Sequence, residues 1–169
     1  ESGQADIAWG LDPVSIRRLQ QASRVSIASV TLPRTIQLKL NGADPRLSDP
    51  VVRRALSLAI DRRGMAAALL RDPEMAATQL FPPTLGEWHQ LGLTPLAYDV
   101  KAARAAFAAA GWQPGEDGVL RKGEERFALT LRTFPDRPEL PLLATALQAQ
   151  WKAVGVDLKV AVGNSSEIP

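Results

Sequence analysis

Two periods of apolar residues run along this chain, and each predicts its own kind of element. A helical period is clearest over Leu47–Met65 (LSDPVVRRALSLAIDRRGM), where Val52, Ala55, Leu56, Ala59 and Ile60 form one stripe. Arg53, Arg54 and Ser57 fall on the opposite side. Asp49 stands at the N-cap position, and Pro50 follows where a missing N–H costs nothing. Asp61 is placed to cap a short second helix over Arg62–Arg71, with Met65, Ala68 and Leu69 as its apolar residues. Asp99–Ala110 reads as a further helix, with Ala103, Ala106, Phe107 and Ala110 on its buried face. Gly111 suits the left-handed residue after it, and Trp112 is placed to fold back on the last turn. Glu139–Val154 is the last long helix, presenting Leu140, Leu143, Leu147, Trp151 and Val154 and ended by Gly155. Pro13 opens a weaker one through about Gln20, with Val14, Ile16 and Leu19.

The second period is alternation. Ile36, Leu38 and Leu40 alternate with Gln37 and Lys39 over Thr35–Leu40, and Val25–Val30 alternates less cleanly; both predict half-buried strands. Asp6–Trp9 is short, apolar and consistent with a strand. Gly118–Arg121 and Phe127–Arg132 read as a hairpin around Lys122-Gly123, with Phe127, Leu129 and Leu131 on one face. Val156, Leu158, Val160 and Val162 predict a final strand, followed by a polar tail, Gly163–Pro169. Asn41-Gly42 is a turn signal. Residues 72–97 show no clean period and are broken by Pro73, Pro82, Pro83, Gly86, Gly92 and Pro95. Such a segment runs over a surface or packs against a neighbouring domain, and Phe81 and Trp88 within it need something to bury against. Helices interleaved with strands make the class α/β, and the hairpin argues for a mixed sheet.

Composition narrows the partners. The 169 residues suit one domain, with 46% hydrophobic and 22% charged residues and a mean hydropathy of -0.07. The net charge is only +2, so the pI of 9.3 does not point to nucleic acid. No aromatic-laced basic groove of the single-strand-binding kind is present either. The absence of cysteine excludes disulfides, thiolate metal sites and cysteine nucleophiles. No apolar run is long enough to span a membrane. His89 is the only histidine; with Glu87 as its sole near neighbour in sequence it makes no metal site and no triad base, and no G-x-S-x-G or phosphate-cradling glycine motif is present. Neither a cofactor nor an enzymatic activity is expected. Arg53, Arg54, Arg62 and Arg63 read as a solvated basic face paired with Asp49 and Asp61, with a docking surface as the sharper alternative. Trp112 and Trp151 read as structural, while Trp9 ends a strand and is open to a role in a cleft, as is Trp88 in its loop.

Four segments, in order, carry a family resemblance. Gly3–Trp9 (GQADIAW) is similar to a "G-x-A-D-I-A" strand, and the 49–62 run to "D-P-x-V-R-R-A-L-x-x-A-I-D-R". Tyr98–Trp112 (YDVKAARAAFAAAGW) is similar to "Y-D-x-x-K-A-x-x-L-L-x-x-A-G-W", and Leu147–Val160 (LQAQWKAVGVDLKV) to "I-Q-x-Q-L-K-x-I-G-I-D-V-x-V". Together they resemble the family 5 extracellular solute-binding proteins, the peptide and nickel receptors of bacterial ABC importers. The resemblance spans nearly the whole chain but only a minority of a usual member.

The resemblance implies that residues 1–169 are a single α/β lobe fragment of a larger, hinged, two-lobed protein. It implies a binding function: capture of short peptides, or of a nickel chelate or other small solute, for delivery to a permease. The location implied is the periplasm or a lipid anchor at the cell envelope, and the usual state a monomer. No export signal opens the sequence at Glu1, so the family reading places it upstream or cleaved. In the family, the strand entering "L-x-L-N" runs beside the cleft between the lobes; here that is Leu32–Lys39, and Arg34, Thr35 and Gln37 are the ligand-contact residues expected, with Lys39 beside them. The family's best-known ligand-anchoring segments lie beyond the point equivalent to Pro169 or on the other lobe. The alternative from another class is the ligand-sensing domain of a transcription regulator, which a helix-turn-helix upstream would identify.

Overall fold

The computed structural model describes residues 4–30 and 32–167. Gly3, the first residue of the GQADIAW motif, and Ile168 and Pro169 of the predicted tail lie outside them. Among the described residues five α-helices are built: α1 (Pro13–Leu19), α2 (Pro50–Leu58), α3 (Arg62–Met65), α4 (Val100–Ala109) and α5 (Glu139–Lys152). The same described residues form five strands: β1 (Gln113–Pro114), β2 (Leu120–Lys122), β3 (Glu125–Arg126), β4 (Ala128–Thr133) and β5 (Asp157–Val162).

The helices start where their caps stand. Asp12, Asp49, Asp61 and Asp99 each accept backbone N–H groups of the first turn, Asp49 from Val51 at 2.8 Å and Asp99 from Ala102 at 2.8 Å. The α2 stripe is buried as predicted, Val52, Ala55, Leu56, Ala59 and Ile60 all lying in the core. The helix after Asp61 differs from its prediction. It is α-helical only to Met65, then winds as a π-turn over Ala66–Leu70, and Arg71 closes it at φ +63°. The change of pitch rotates the buried side, so Ala66 enters the core while Ala68 is exposed and Leu69 only half-buried.

Two helix ends use one device. Gly111 (φ +86°) donates to Ala108 and Trp112 to Phe107, at 3.0 and 2.9 Å. Gly155 (φ +87°) donates to Lys152 and Val156 to Trp151, both at 3.0 Å. Each is a Schellman closure in which an apolar residue folds back on the last turn. Gly155 is doubly constrained, because a Cβ there would lie 3.0 Å from the Gly118 carbonyl oxygen and from the Leu120 side chain.

Parallel and antiparallel pairing are divided between two small sheets. β1, β2 and β3 form an antiparallel meander, with Lys122 opposite Glu125, so the hairpin turns at Gly123-Glu124. β4 pairs parallel with β5, Leu129 opposite Leu158 and Leu131 opposite Val160. The predicted second hairpin arm, Phe127–Arg132, therefore belongs to the other sheet; only Glu125–Arg126 pairs back. Backbone bonds bridge the sheets: Leu120 N–H to Gly155 at 2.7 Å, Phe127 N–H to Leu120 at 2.8 Å, and Asp157 N–H to Phe127 at 3.0 Å.

The core sits where α2, α4 and α5 meet β4 and β5. Phe127 is 0% exposed and stacks edge-on against Phe107 (centroids 5.6 Å) and Trp112 (4.5 Å). Trp151 is buried and its Nε1–H donates to the Leu56 carbonyl at 3.1 Å, tying α5 to α2. Asp99 N–H donates to the Leu58 carbonyl at 2.9 Å, which seats α4 on the end of α2.

Three predicted strands are not formed. Asp6–Trp9, Val25–Val30 and Thr35–Leu40 are irregular or extended without a ladder. Val25 and Ile27 keep the half-burial their alternation predicts, but Trp9 is 97% exposed and Ile36 45%. Among the described residues no neighbouring strand offers these segments its N–H and C=O groups. Alternation and β-propensity describe a surface that fits a sheet, and they do not supply the partner.

Candidate functional site

The residues expected to touch a ligand lie on the 34–37 stretch, which belongs to no strand ladder. Of these residues and their neighbour Ile36, only Thr35 is half-buried; Arg34, Ile36 and Gln37 are all exposed. Thr35 is half-buried and its hydroxyl donates to the Leu80 carbonyl at 2.9 Å, fastening the segment to the 78–96 loop. Arg34 and Gln37 are exposed, and Arg34 N–H turns back to the Leu32 carbonyl at 2.8 Å. The structure therefore holds Thr35 in place and presents the other two to solvent without converging them on one point.

The 78–96 loop is built rather than loose. The Gln79 amide pairs with both backbone groups of Gln90, each at 3.1 Å, and Leu96 N–H donates to Thr78 at 3.1 Å. His89 Nδ1 donates to the Phe81 carbonyl at 2.8 Å, which places the imidazole in a structural role. Phe81 and Trp88 contact each other at 5.8 Å between centroids, yet Trp88 remains 66% exposed. Among the described residues no three His, Asp or Glu side chains are gathered around a metal-sized point.

The arginine cluster does not form the paired face the sequence suggests. Asp49 and Asp61 spend their carboxylates on helix caps. Arg53 instead reaches back to the Leu47 and Ser48 carbonyls at 2.8 and 2.7 Å. Arg62 caps the far end of α2 through the Ser57 carbonyl (3.1 Å) and hydroxyl (2.8 Å), and its burial lowers its pKa from the usual guanidinium value. Arg63 pairs with Glu74 at 2.8 Å, and Arg54 is exposed. Local acids serve backbone N–H groups first, because each sits one residue before a helix.

The surface carries concavities away from these residues. An open depression of about 250 Å³ lies over the carboxyl ends of β4 and β5, lined by Thr130, Arg132, Thr133, Val162 and Gly163. Open α/β sheets place ligands outside the carboxyl ends of parallel strands. The signal for it is the parallel register of β4 and β5, which a hairpin reading of Phe127–Arg132 hides. A similar depression of about 260 Å³ lies between the ends of α4 and α5, beside Arg104, Trp112 and Lys152. Arg34, Thr35 and Gln37 line neither.

Comparison with known proteins covers the whole arrangement. A family model described as "Bacterial extracellular solute-binding proteins, family 5 Middle" matches residues 1–168. The oligopeptide-binding protein AppA of Bacillus subtilis is 28% identical over 124 residues, covering 72% of this chain and 23% of that protein. The nickel-binding periplasmic protein of Escherichia coli is 27% identical over 135 residues, covering 79% of this chain and 26% of that one. The crystal structure of NikA from Brucella suis in complex with Fe(III)-EDTA superposes with a TM-score of 0.80 at 26% identity, covering 94% of this chain and 32% of NikA. The chain thus spans about a quarter of the length of the curated relatives it matches.

Proposed function

Because this chain belongs to the family 5 bacterial extracellular solute-binding proteins, we propose that it is one lobe of a substrate-binding component of an ABC importer. The observation that carries the reading is the match of the family model over residues 1–168. Relatives named for oligopeptide and nickel binding, and the fold shared with NikA, support the same ligand classes here. The work is binding and not catalysis. A short peptide, or a small solute such as a nickel chelate, is captured between this lobe and a second one and handed to a membrane permease. Closure of two lobes about a hinge is the motion that such a division requires. For an extended peptide, backbone hydrogen bonds supply affinity while loosely fitted pockets tolerate different side chains.

Within this lobe, Arg34, Thr35 and Gln37 are the ligand-facing residues of the reading. The tether from Thr35 to Leu80 supports it, since a segment without a ladder partner needs some other fixation to hold a constant position. The location that goes with the function is the periplasm or the outer face of the cell envelope. No helix among the described residues is long and apolar enough to cross a membrane.

The test is thermal unfolding of the complete product of the gene against di- to oligopeptides, nickel chelates and sugars. A bound ligand at about 100 times its Kd adds roughly 2.7 kcal/mol of stability. A shift confined to peptides or to chelates establishes the receptor and its ligand class. No shift with either class removes the reading, and a helix-turn-helix in the same product would move it to a regulator. The 169-residue chain alone, holding one wall of the site, is expected to bind the same ligand far more weakly.

A further inference from the structure

We propose that the outer surface of the 78–96 loop is a permanent interface with another part of a longer polypeptide. The inference rests on the one-lobe reading above and adds where that lobe is joined. A loop this exposed is ordinarily polar. Here Leu80, Trp88, Leu91 and Leu93 are all more than half exposed, Leu91 at 91%. From Ala76 to Tyr98 the chain carries one carboxylate, Glu87, one histidine and no lysine or arginine, against 22% charged residues overall.

The apolar side chains are held outward, not left to collapse. The Gln79–Gln90 clasp, the Leu96–Thr78 bond and the His89–Phe81 bond close the loop on itself, and Thr35 ties it to the 34–37 segment. An apolar patch of this kind on a well-tied loop marks a contact surface. Depletion of charge is the mark of the fully buried centre of an interface, whereas a surface that meets water between binding events keeps its charged rim. The occupant follows from length. The chain spans 23% and 26% of the two curated relatives compared above, so most of a protein of that size would lie outside it and be tethered to it. A covalently tethered surface meets this loop at high effective concentration and needs no ligand to bring it there.

Hydrogen exchange read by mass spectrometry decides the matter, comparing the 169-residue chain with the complete product of its gene, both without ligand. The expected result is exchange about 100-fold slower across residues 79–96 in the longer product, with α4 and α5 unchanged. Equal exchange in the two overturns the interface and leaves the family reading intact. Slowing that appears only when a peptide or nickel chelate is added makes the loop a ligand wall and overturns it. Slowing that grows with the concentration of the 169-residue chain assigns the surface to a second copy and overturns it. A gene product no longer than this chain removes both the interface and the one-lobe reading. Protection in the longer product with no ligand bound from the whole panel keeps the interface and removes the transport function. As a second measurement, Trp88→Ser is expected to lower the melting temperature of the longer product by several degrees and to leave that of the 169-residue chain unchanged. No change in either overturns the proposal.

Discussion

The segments Thr35–Leu40 and Ala128–Thr133 carry the same alternation and meet opposite fates. In the second, Leu129 and Leu131 pack on the core and every second backbone group bonds to β5. In the first, Ile36 and Leu38 face solvent and no ladder forms. The difference is neighbourhood. β4 follows Phe127, which is locked between Phe107 and Trp112, and it is met by β5 delivered from the end of α5 by Gly155. The 35–40 segment is instead held by side-chain contact, the Thr35 hydroxyl donating to the Leu80 carbonyl. An alternating sequence is thus a half-interface, and the other half decides whether it becomes a strand.

The contrast breaks most visibly at Phe127. Phe127→Ala empties the centre of the aromatic cluster and is expected to cost about 3–5 kcal/mol, whereas Ile36→Ala should cost less than about 0.5 kcal/mol in this chain. Urea unfolding of the two variants measures both, and equal losses would erase the distinction between the regions. Next in size is Gly155→Ala, which forces a side chain into left-handed backbone and against the Gly118 carbonyl. A loss of about 2 kcal/mol or more is expected, with the β5 amides losing exchange protection first. Asp99→Ala removes the N-cap of α4 and should cost about 1 kcal/mol, while a Gln37→Ala change on the 34–37 stretch should be silent in the same melt.

The smallest effect is a pH dependence. The side-chain hydrogen bond from Arg46, then the Arg46 backbone N–H and last that guanidinium's charge, hold the Asp44 carboxyl below its ordinary value against the opposing effect of burial. A depressed folded pKa means that the contribution is fully present above the unfolded carboxylate pKa near 4. It is lost as pH falls through the lower folded value. Arg46 also donates to the Ala128 carbonyl, so the same proton loosens the 41–48 turn from β4. Asp44→Asn should remove less than about 1 kcal/mol at neutral pH and flatten the acid limb of stability below pH ~4.

Much of the packed region was legible. The caps Asp49, Asp61 and Asp99, the glycine closures at Gly111 and Gly155, the α2 stripe and the structural roles of Trp112 and Trp151 all stand in the sequence and in the fold. The π-turn at Ala66–Leu70 was hidden, since its residues are good α-helix formers and only the packing selects the wider turn. The Lys122-Gly123 signal lies one residue before the observed turn, and Phe127–Arg132 alternates equally well for either partner, so its pattern does not show that it joins the other sheet. The site was less legible still. Of Arg34, Thr35 and Gln37, the structure fixes only Thr35, and the depression at the ends of β4 and β5 depends on a parallel register that no local pattern encodes.

What the sequence determined by itself was therefore whatever is settled within one or two turns of chain: helix starts, helix stops, apolar stripes and the ordered motifs that mark the family. Such features bring their own partners, since a cap and the N–H it serves are two or three residues apart. Tertiary structure alone decided which alternating segments became strands, which carbonyls absorbed the arginines, and which apolar surface was left facing out at residues 78–96. Those outcomes depend on groups tens of residues away, whose arrival is a property of the assembled chain and not of any stretch of it.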